Sequence, residues 1–262
     1  MRSLIDSDAT RIIVFSRDEH KQFVMRKELT DERLRWFLGD VRDVSRLRRA
    51  FAGVDYVIHA AALKQVEACE YNPSEAAQTN VLGSQNVIEA AIDCAVKRTV
   101  LVSTDKAVNP SSLYGATKLC AERLFLAAES YVGHGQSTFA VLRCGNLAGS
   151  RGSVIPYWRG LIAAGAKEVP VTDPACTRYW MGAGTAVEAV WDALGGDERL
   201  YAPAMPAFAV GDLAKAMDMP MRVVGLSTGE KLHEEMGNGQ SSATARRLTV
   251  AELRARLIEI RP

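Results

Sequence analysis

Brief apolar, β-branched runs alternate with stretches of helical periodicity through the first 150 residues, and this alternation most constrains the fold. Strand-like runs lie at roughly Arg11 to Ser16, Arg35 to Gly39, Val54 to His59, Thr99 to Ser103 and Thr138 to Arg143. Helical spacing fills the intervals at Glu19 to Leu29, Val44 to Ala50, Ser74 to Ala95 and Ser112 to Ala128. Such alternation predicts an α/β fold with a parallel sheet between layers of helix. Beyond residue 150 the pattern weakens to short pieces such as Glu168-Val-Pro-Val171, a helix near Thr185 to Leu194 and a last helical stretch from Leu248.

The fourth strand leads into Ser103-Thr-Asp-Lys106, and the helix after it carries Tyr114-Gly-Ala-Thr-Lys118. Tyr114 and Lys118 are four apart and share a helix face. An ammonium beside a phenol favours the phenolate, so the pair predicts a tyrosine of lowered pKa that takes a proton from an alcohol. A Tyr and a Lys at this spacing also arise by chance. The placement of Thr104, Asp105 and Lys106 at a strand's carboxyl end, where open α/β sheets bind ligands, turns the reading towards an active site.

The bulk numbers exclude several classes. At 48% hydrophobic and 24% charged, the 262 residues read as an ordinary globular protein, and a net charge of +1 gives no field for nucleic acid or an anionic membrane. No apolar run approaches the roughly 20 residues of a membrane helix. Five cysteines form no C-x-x-C pair and His20, His59, His134 and His233 have no metal-ligand spacing, so neither a disulfide framework nor a metal is expected, and the cytoplasm is the expected compartment.

The motifs together resemble the extended branch of the short-chain dehydrogenase/reductase superfamily and, within it, the inverting UDP-N-acetylglucosamine 4,6-dehydratases of polysaccharide biosynthesis. Ser103-Thr-Asp-Lys-Ala-Val-Asn-Pro110 with Leu113-Tyr-Gly-Ala-Thr-Lys118 carries most of the resemblance. Ser16-Arg-Asp-Glu, Gly39-Asp-Val-Arg-Asp43, His59-Ala-Ala-Ala-Leu-Lys64, Glu70-Tyr-Asn-Pro73 and Thr79-Asn80 follow the family order. So do Gly145-Asn146, Gly149-Ser-Arg-Gly-Ser-Val-Ile-Pro156, Thr177-Arg178 and Gly229-Glu-Lys-Leu-His-Glu234. Two departures are Ser227-Thr228, where relatives carry Arg-Pro, and Gln65 with Glu67, where relatives tend to have His and Pro.

The resemblance implies a Rossmann-like doubly wound parallel sheet that binds NADP, or NAD, over residues 1–150, and a small C-terminal lobe over residues 151–262 that mainly holds substrate while some of its segments return to the core. It also implies a first strand and glycine-rich turn that do not occur here: the first glycine is Gly39, and Arg2-Ser-Leu-Ile-Asp-Ser-Asp looks like the tail of the helix that would follow that turn. A start codon placed too far downstream and a genuine fragment or remnant both account for this.

On the cofactor side the resemblance points to Ser16, Arg17, Asp18 and Lys21 after the first strand present, to Asp40 and Val41 after the second, to Ala60, Ala61, Ala62 and Lys64 after the third, and to Asn80, Tyr114 and Lys118. Arg17 and Lys21 favour the 2′-phosphate of NADP, against the plainer reading that Ser16 or Asp18 caps the next helix and Arg17 is solvated. For catalysis it implies Tyr114, assisted by Lys118, as base at the sugar C4 hydroxyl, Thr104 as hydrogen-bond partner of the C4 oxygen, Asp105 as acid at C6 and Lys106 as base at C5. A basic Lys106 requires a depressed pKa. The substrate diphosphate and uridine are expected at Asn146, Arg151, Thr177 and Arg178, with Glu230 and Lys231 closing the nucleotide site and Lys64 near both cofactor and substrate. Arg151 also reads as a turn residue between glycines, and Lys64 as a surface lysine. A UDP-sugar partner and a homo-oligomer are implied. Another epimerase or reductase of the superfamily, which needs only Thr104, Tyr114 and Lys118, and an inactive nucleotide-binding remnant are the competing readings.

Overall fold

A computed structural model describes residues 1–132 and 137–260; His134 lies outside the described residues. The chain opens with a single helical turn, α1 (Arg2–Ile5), then β1 (Ile12–Ser16), α2 (Glu19–Glu28), β2 (Leu34–Leu38), α3 (Val44–Phe51) and β3 (Tyr56–His59). Two short helices, α4 (Val66–Tyr71) and α5 (Pro73–Ala76), a π-helical stretch at Ala77–Leu82 and α6 (Gly83–Asp93) lead to β4 (Arg98–Thr104), α7 (Leu113–Ala127) and β5 (Thr138–Cys144).

β3, β4 and β5 form a parallel sheet, extended at its far edge by a later strand, β9 (Leu200–Tyr201). Successive side chains of a strand point to opposite faces. Leu101, Phe139 and Val141 therefore meet α3, α6 and α7 through Leu47, Val87 and Phe125, while Val100, Ala140 and Leu142 face the other way onto Ala189 and Ala193. Apolar burial on both faces is why these strands read as continuous apolar runs.

The expected parallel sheet forms with one break. β1 pairs with β2 in register, Ile12 opposite Leu34, but the described residues show no ladder joining β1 to β3. The link there is made by side chains: Arg11 donates to the Ala52 and Gly53 carbonyls at 2.7 and 2.9 Å, and Phe15 packs against the α3/α6/α7 core.

The helix expected over Ser74 to Ala95 is interrupted. Its π-helical stretch admits an extra residue per turn, a device common at functional sites, and it carries the buried Asn80. α4 was not expected, because six residues with one buried side chain leave almost no periodic signal.

The later segments run β6 (Asn146–Leu147), α8 (Val154–Ala163), β7 (Val169–Val171), β8 (Thr177–Met181), α9 (Ala183–Gly195), β9, β10 (Ala207–Ala209), α10 (Val210–Ala216), β11 (Met221–Val223), β12 (Glu235–Gly237), β13 (Gln240–Ser241) and α11 (Val250–Glu259). Trp158, Val169, Val171, Trp180, Phe208, Leu213, Leu248 and Leu253 make a second core, whereas α9 and β9 pack back on the first. No helix among the described residues is long and apolar enough to cross a membrane.

Candidate active site

β4 ends in Thr104, whose hydroxyl caps a single 3₁₀ turn at Asp105–Ala107. The turn folds Asp105 inward, fully buried, and leaves Lys106 partly exposed. Thr104 Oγ1 donates to Asp105 Oδ1 at 2.9 Å and Lys106 Nζ donates to the same oxygen at 3.0 Å. Asp105 Oδ2 is buried with no partner among the described residues.

α7 begins against this turn. Ser112 caps it by accepting from the Gly115 amide at 3.2 Å, and a Cβ on Gly115 would overlap the Lys106 carbonyl oxygen, so only glycine lets the helix start there. Tyr114 thus lies within reach of Thr104 and Lys106. Lys118, one turn on, is buried and donates to the Val102 carbonyl at 3.0 Å.

The electrostatics differ from the expectation at two positions. Burial pushes Tyr114 above the usual phenol range, and the Lys106 charge and the nearby Thr104 hydroxyl that oppose it do not reverse the shift. Lys118, turned to the Val102 carbonyl, does not supply the expected lowering. Lys106 is raised as well: burial and Arg178 favour the free amine, but Asp105 and Glu234 outweigh them. The expected neutral lysine is therefore an ammonium held between carboxylates. Lys118 itself is pushed down to about 8 by burial, against the pull of Glu122.

The late segments close the site. Asn146 Oδ1 accepts from Lys106 Nζ at 3.4 Å. Arg178 is buried, 2.8 Å from Glu230 Oε1 and 3.9 Å from Glu234 Oε1. Gly229 (φ +83°) takes the left-handed conformation that glycine adopts freely and lies against Ser111 and Ser112, while Lys231 Nζ donates to the Val108 carbonyl at 2.5 Å. The GEKLH motif is in this way docked on the loop before α7.

Other expected residues fare differently. Thr177 spends its hydroxyl on His233 Nδ1 and Ser242 Oγ, at 2.8 and 2.7 Å, inside the protein. Arg151 is largely exposed, and its nearest acid is Asp18 at 3.9 Å, away from the Lys106 cluster. Lys64 Nζ reaches Ser150 Oγ at 3.3 Å, and burial lowers its pKa.

On the opposite flank, Asp18 caps α2 by accepting from the Lys21 amide at 2.8 Å, and Ser16 Oγ accepts from the Asp18 amide at 3.1 Å, as the plainer reading had it. Arg17 is not merely solvated: it lies 3.5 Å from Asp40 Oδ2, across the ends of β1 and β2. Asp40 also accepts from Arg42. Burial works to raise its pKa, but the Arg42 hydrogen bonds and the Arg17 and Arg42 charges hold it below the usual carboxylate range. Val41 turns its side chain into the core, so only its backbone can face a ligand. Ala60 and Ala61 are exposed and small. Asn80 braces the segment after them, bonding Leu63 N and O at 2.8 and 2.9 Å and Thr117 Oγ1 at 3.0 Å.

Sequence reasoning missed Glu234, Tyr179 and the Glu122–Arg143 pair. Glu122 accepts from Ser103 Oγ at 2.7 Å and from Arg143 at 2.6 Å. Tyr179 is buried, its hydroxyl without a partner among the described residues, and burial together with the Asp105 charge pushes its pKa up to about 12. Glu234 ends the motif already singled out, which was its one available signal.

A family model described as "Polysaccharide biosynthesis protein" matches residues 1–252. The chain belongs to that family. Among curated proteins similar to this family member is the UDP-N-acetylglucosamine 4,6-dehydratase (inverting) of Campylobacter jejuni, 46% identical over 237 residues that cover 88% of this chain and 71% of the relative. A UDP-glucose 4-epimerase of Rickettsia akari is 40% identical over 253 residues, covering 94% and 74%. The X-ray structure of Pen from Bacillus thuringiensis superimposes with a TM-score of 0.92 at 32% identity, over 98% of this chain and 92% of that one.

Proposed function

We propose that the protein dehydrates UDP-N-acetylglucosamine to a UDP-4-keto-6-deoxy sugar with inversion at C5, using a nicotinamide dinucleotide, in the cytoplasm and for surface glycan synthesis. The observation that carries the reading is the Asp105–Lys106 contact of 3.0 Å beside Thr104, with Tyr114 across from it. Simple alcohol oxidation needs no such acid–base pair.

The residues present fit a dinucleotide at its two ends. The exposed Ala60 and Ala61 leave the backbone after β3 open to close approach, and Arg17 and Asp40 meet at the ends of β1 and β2. In this reading the nicotinamide would lie at the other end, beside Tyr114 and Thr104. Arg17 makes NADP the preferred form in this reading. Bound there, the cofactor accepts and returns a hydride.

In the proposed reaction Tyr114 works as the phenolate, which the positive charge of a bound nicotinamide would favour against the upward push of burial. It takes the proton of the C4 hydroxyl as the C4 hydride leaves, and Thr104 hydrogen-bonds the C4 oxygen. The resulting ketone acidifies the C5 proton. Lys106 and Asp105 then act as one unit. Moving the proton from Lys106 Nζ to Asp105 Oδ1 gives a free amine and a carboxylic acid without changing the net charge. The amine takes the C5 proton, the acid protonates the departing C6 oxygen, and water leaves. The ammonium–carboxylate pair is thereby regenerated, and return of the hydride to C6 with delivery of a solvent-derived proton to C5 from the opposite face completes the inverted 4-keto-6-deoxy sugar. A raised Lys106 pKa is compatible with this because the pair, not the lysine alone, holds the working proton.

Incubation with UDP-N-acetylglucosamine and NADP⁺ in deuterated water tests the reading. Loss of one water by mass and solvent deuterium at C5 are expected; a product of unchanged mass that differs only at C4 would replace it with the epimerase reading, which the similarity to the Rickettsia protein favours.

A further inference from the structure

Lys106 is gripped from a second side that the reaction above does not use. Glu234, just before β12, is 2% exposed, and its Oε1 stands 3.2 Å from Lys106 Nζ. Its backbone is fixed independently of that contact: the Glu234 amide donates to Ser242 Oγ, and the Ser242 amide donates to the Glu234 carbonyl, both at 2.8 Å. β12 is tied to β5 by Arg143, which donates to the Met236 carbonyl at 2.8 Å. A buried carboxylate is costly unless it is paired, and the cations against it among the described residues are Lys106 and, at 3.9 Å, Arg178. Its second oxygen has no partner among the described residues.

We propose that Glu234 is a positioning residue: it holds the Lys106 ammonium in line with Asp105 from the opposite side and sets how readily Lys106 gives up its proton. The inference rests on the dehydratase reading for its consequence, not for the contact itself. The charged and titratable groups facing Lys106 are Asp105 on its own turn, Glu234 before β12, Arg178 on β8 and Tyr114 on α7; Asn146 on β6 is neutral. Both carboxylates stabilise the ammonium, and Arg178 and burial oppose them. Without the Glu234 charge, Asp105 alone remains to hold the proton.

Competitive acetylation of the whole chain between about pH 7 and 11, read at Lys106 by mass spectrometry, measures this without turnover. In Glu234→Gln the Lys106 midpoint is expected to fall by roughly 1–3 units, the effect of losing one close opposite charge, with the exposed Lys167 unmoved as internal reference. Glu234→Asp keeps the charge at shorter reach, so its shift is smaller, and it serves if the glutamine variant folds poorly. An unchanged Lys106 midpoint in both variants overturns the inference. In the dehydration assay the alkaline limb of kcat moves down by the same interval in Glu234→Gln; a uniform loss of rate with the limb in place also overturns it. A shifted midpoint in a protein that removes no water from the nucleotide sugar supports Glu234's hold on Lys106 and rejects the dehydratase reading alone.

Discussion

The first turn of α7 rests directly on the Lys106 backbone: Gly115 meets the Lys106 carbonyl so closely that no side chain fits between them. The contact sets the distance between the tyrosine on the helix and the acid–base pair on the 3₁₀ turn. Gly115→Ala must push backbone against backbone, with no flexible side chain to yield. Overpacking of this kind costs about 1–3 kcal/mol, and denaturant titration is expected to show a loss towards the top of that range, accompanied by a fall in dehydration rate.

Asp105 and Lys106 are separable from Tyr114 by the step each supports. Asp105→Asn and Lys106→Met remove the proton traffic at C5 and C6 while leaving Tyr114 and Thr104 in place. Dehydration is expected to fall by roughly 10²–10⁴-fold, the usual worth of a general acid or base, with spectroscopic reduction of the nicotinamide by the sugar retained. Tyr114→Phe is expected to lose both together. Retention of dehydration in both Asp105→Asn and Lys106→Met would remove the pair from the mechanism.

His59 gives the fold an acid limit. It is buried at the end of β3, 3.0 Å from Ser84 Oγ, and burial with the nearby Lys118 charge pushes its pKa down to about 3. The unfolded chain takes up this proton near 6.5, so below that pH it binds more protons than the native state and stability falls as pH falls towards 3. The slope approaches ~1.4 kcal/mol per pH unit for one group. Urea midpoints at pH 7.5 and pH 5 are expected to differ accordingly, and His59→Gln to narrow the difference.

Arg143 and Glu122 form a buried pair, with side chains 13% and 1% exposed and 2.6 Å between them. Removing one partner of such a pair strands the other charge, at about 3–5 kcal/mol. Arg143→Met is expected to lose stability in that range by chemical denaturation. Because Arg143 also holds Met236, a looser β12 and a more exposed Glu234 are expected, read as faster proteolysis near residue 236.

The parts of this molecule legible in the sequence are those with a period or a motif. β4, β5 and α7 were visible because burial on both sheet faces leaves unbroken apolar runs, and Tyr114 and Lys118 because four residues are one helical turn. Lys106's charge state was not visible. Burial and Arg178 pull it one way and Asp105 and Glu234 the other, and Glu234 stands 128 positions away in the chain, where no local pattern encodes a contact made by folding. The partners of Thr177 were hidden for the same reason: its hydroxyl bonds to His233 and Ser242, which only the tertiary structure brings to it. The π-helical stretch around Asn80 was hidden because Ala77–Leu82 contains neither the proline nor the glycine that would mark a break in an ordinary helix.

The gap between β1 and β3 divides the backbone into parts of unequal permanence. Amides of β4 are enclosed by strands on both sides and helices above and below; among the described residues those of β1 are laddered only to β2. A two-stranded ribbon is marginal by itself, and so the amide protons of Ile13 to Ser16 exchange with deuterated solvent long before those of Leu101 and Val102. The same ribbon ends in Ser16, Arg17 and Asp40. A nucleotide gripping those side chains would slow that exchange, and the least protected part of the native state would become its most direct reporter of occupancy.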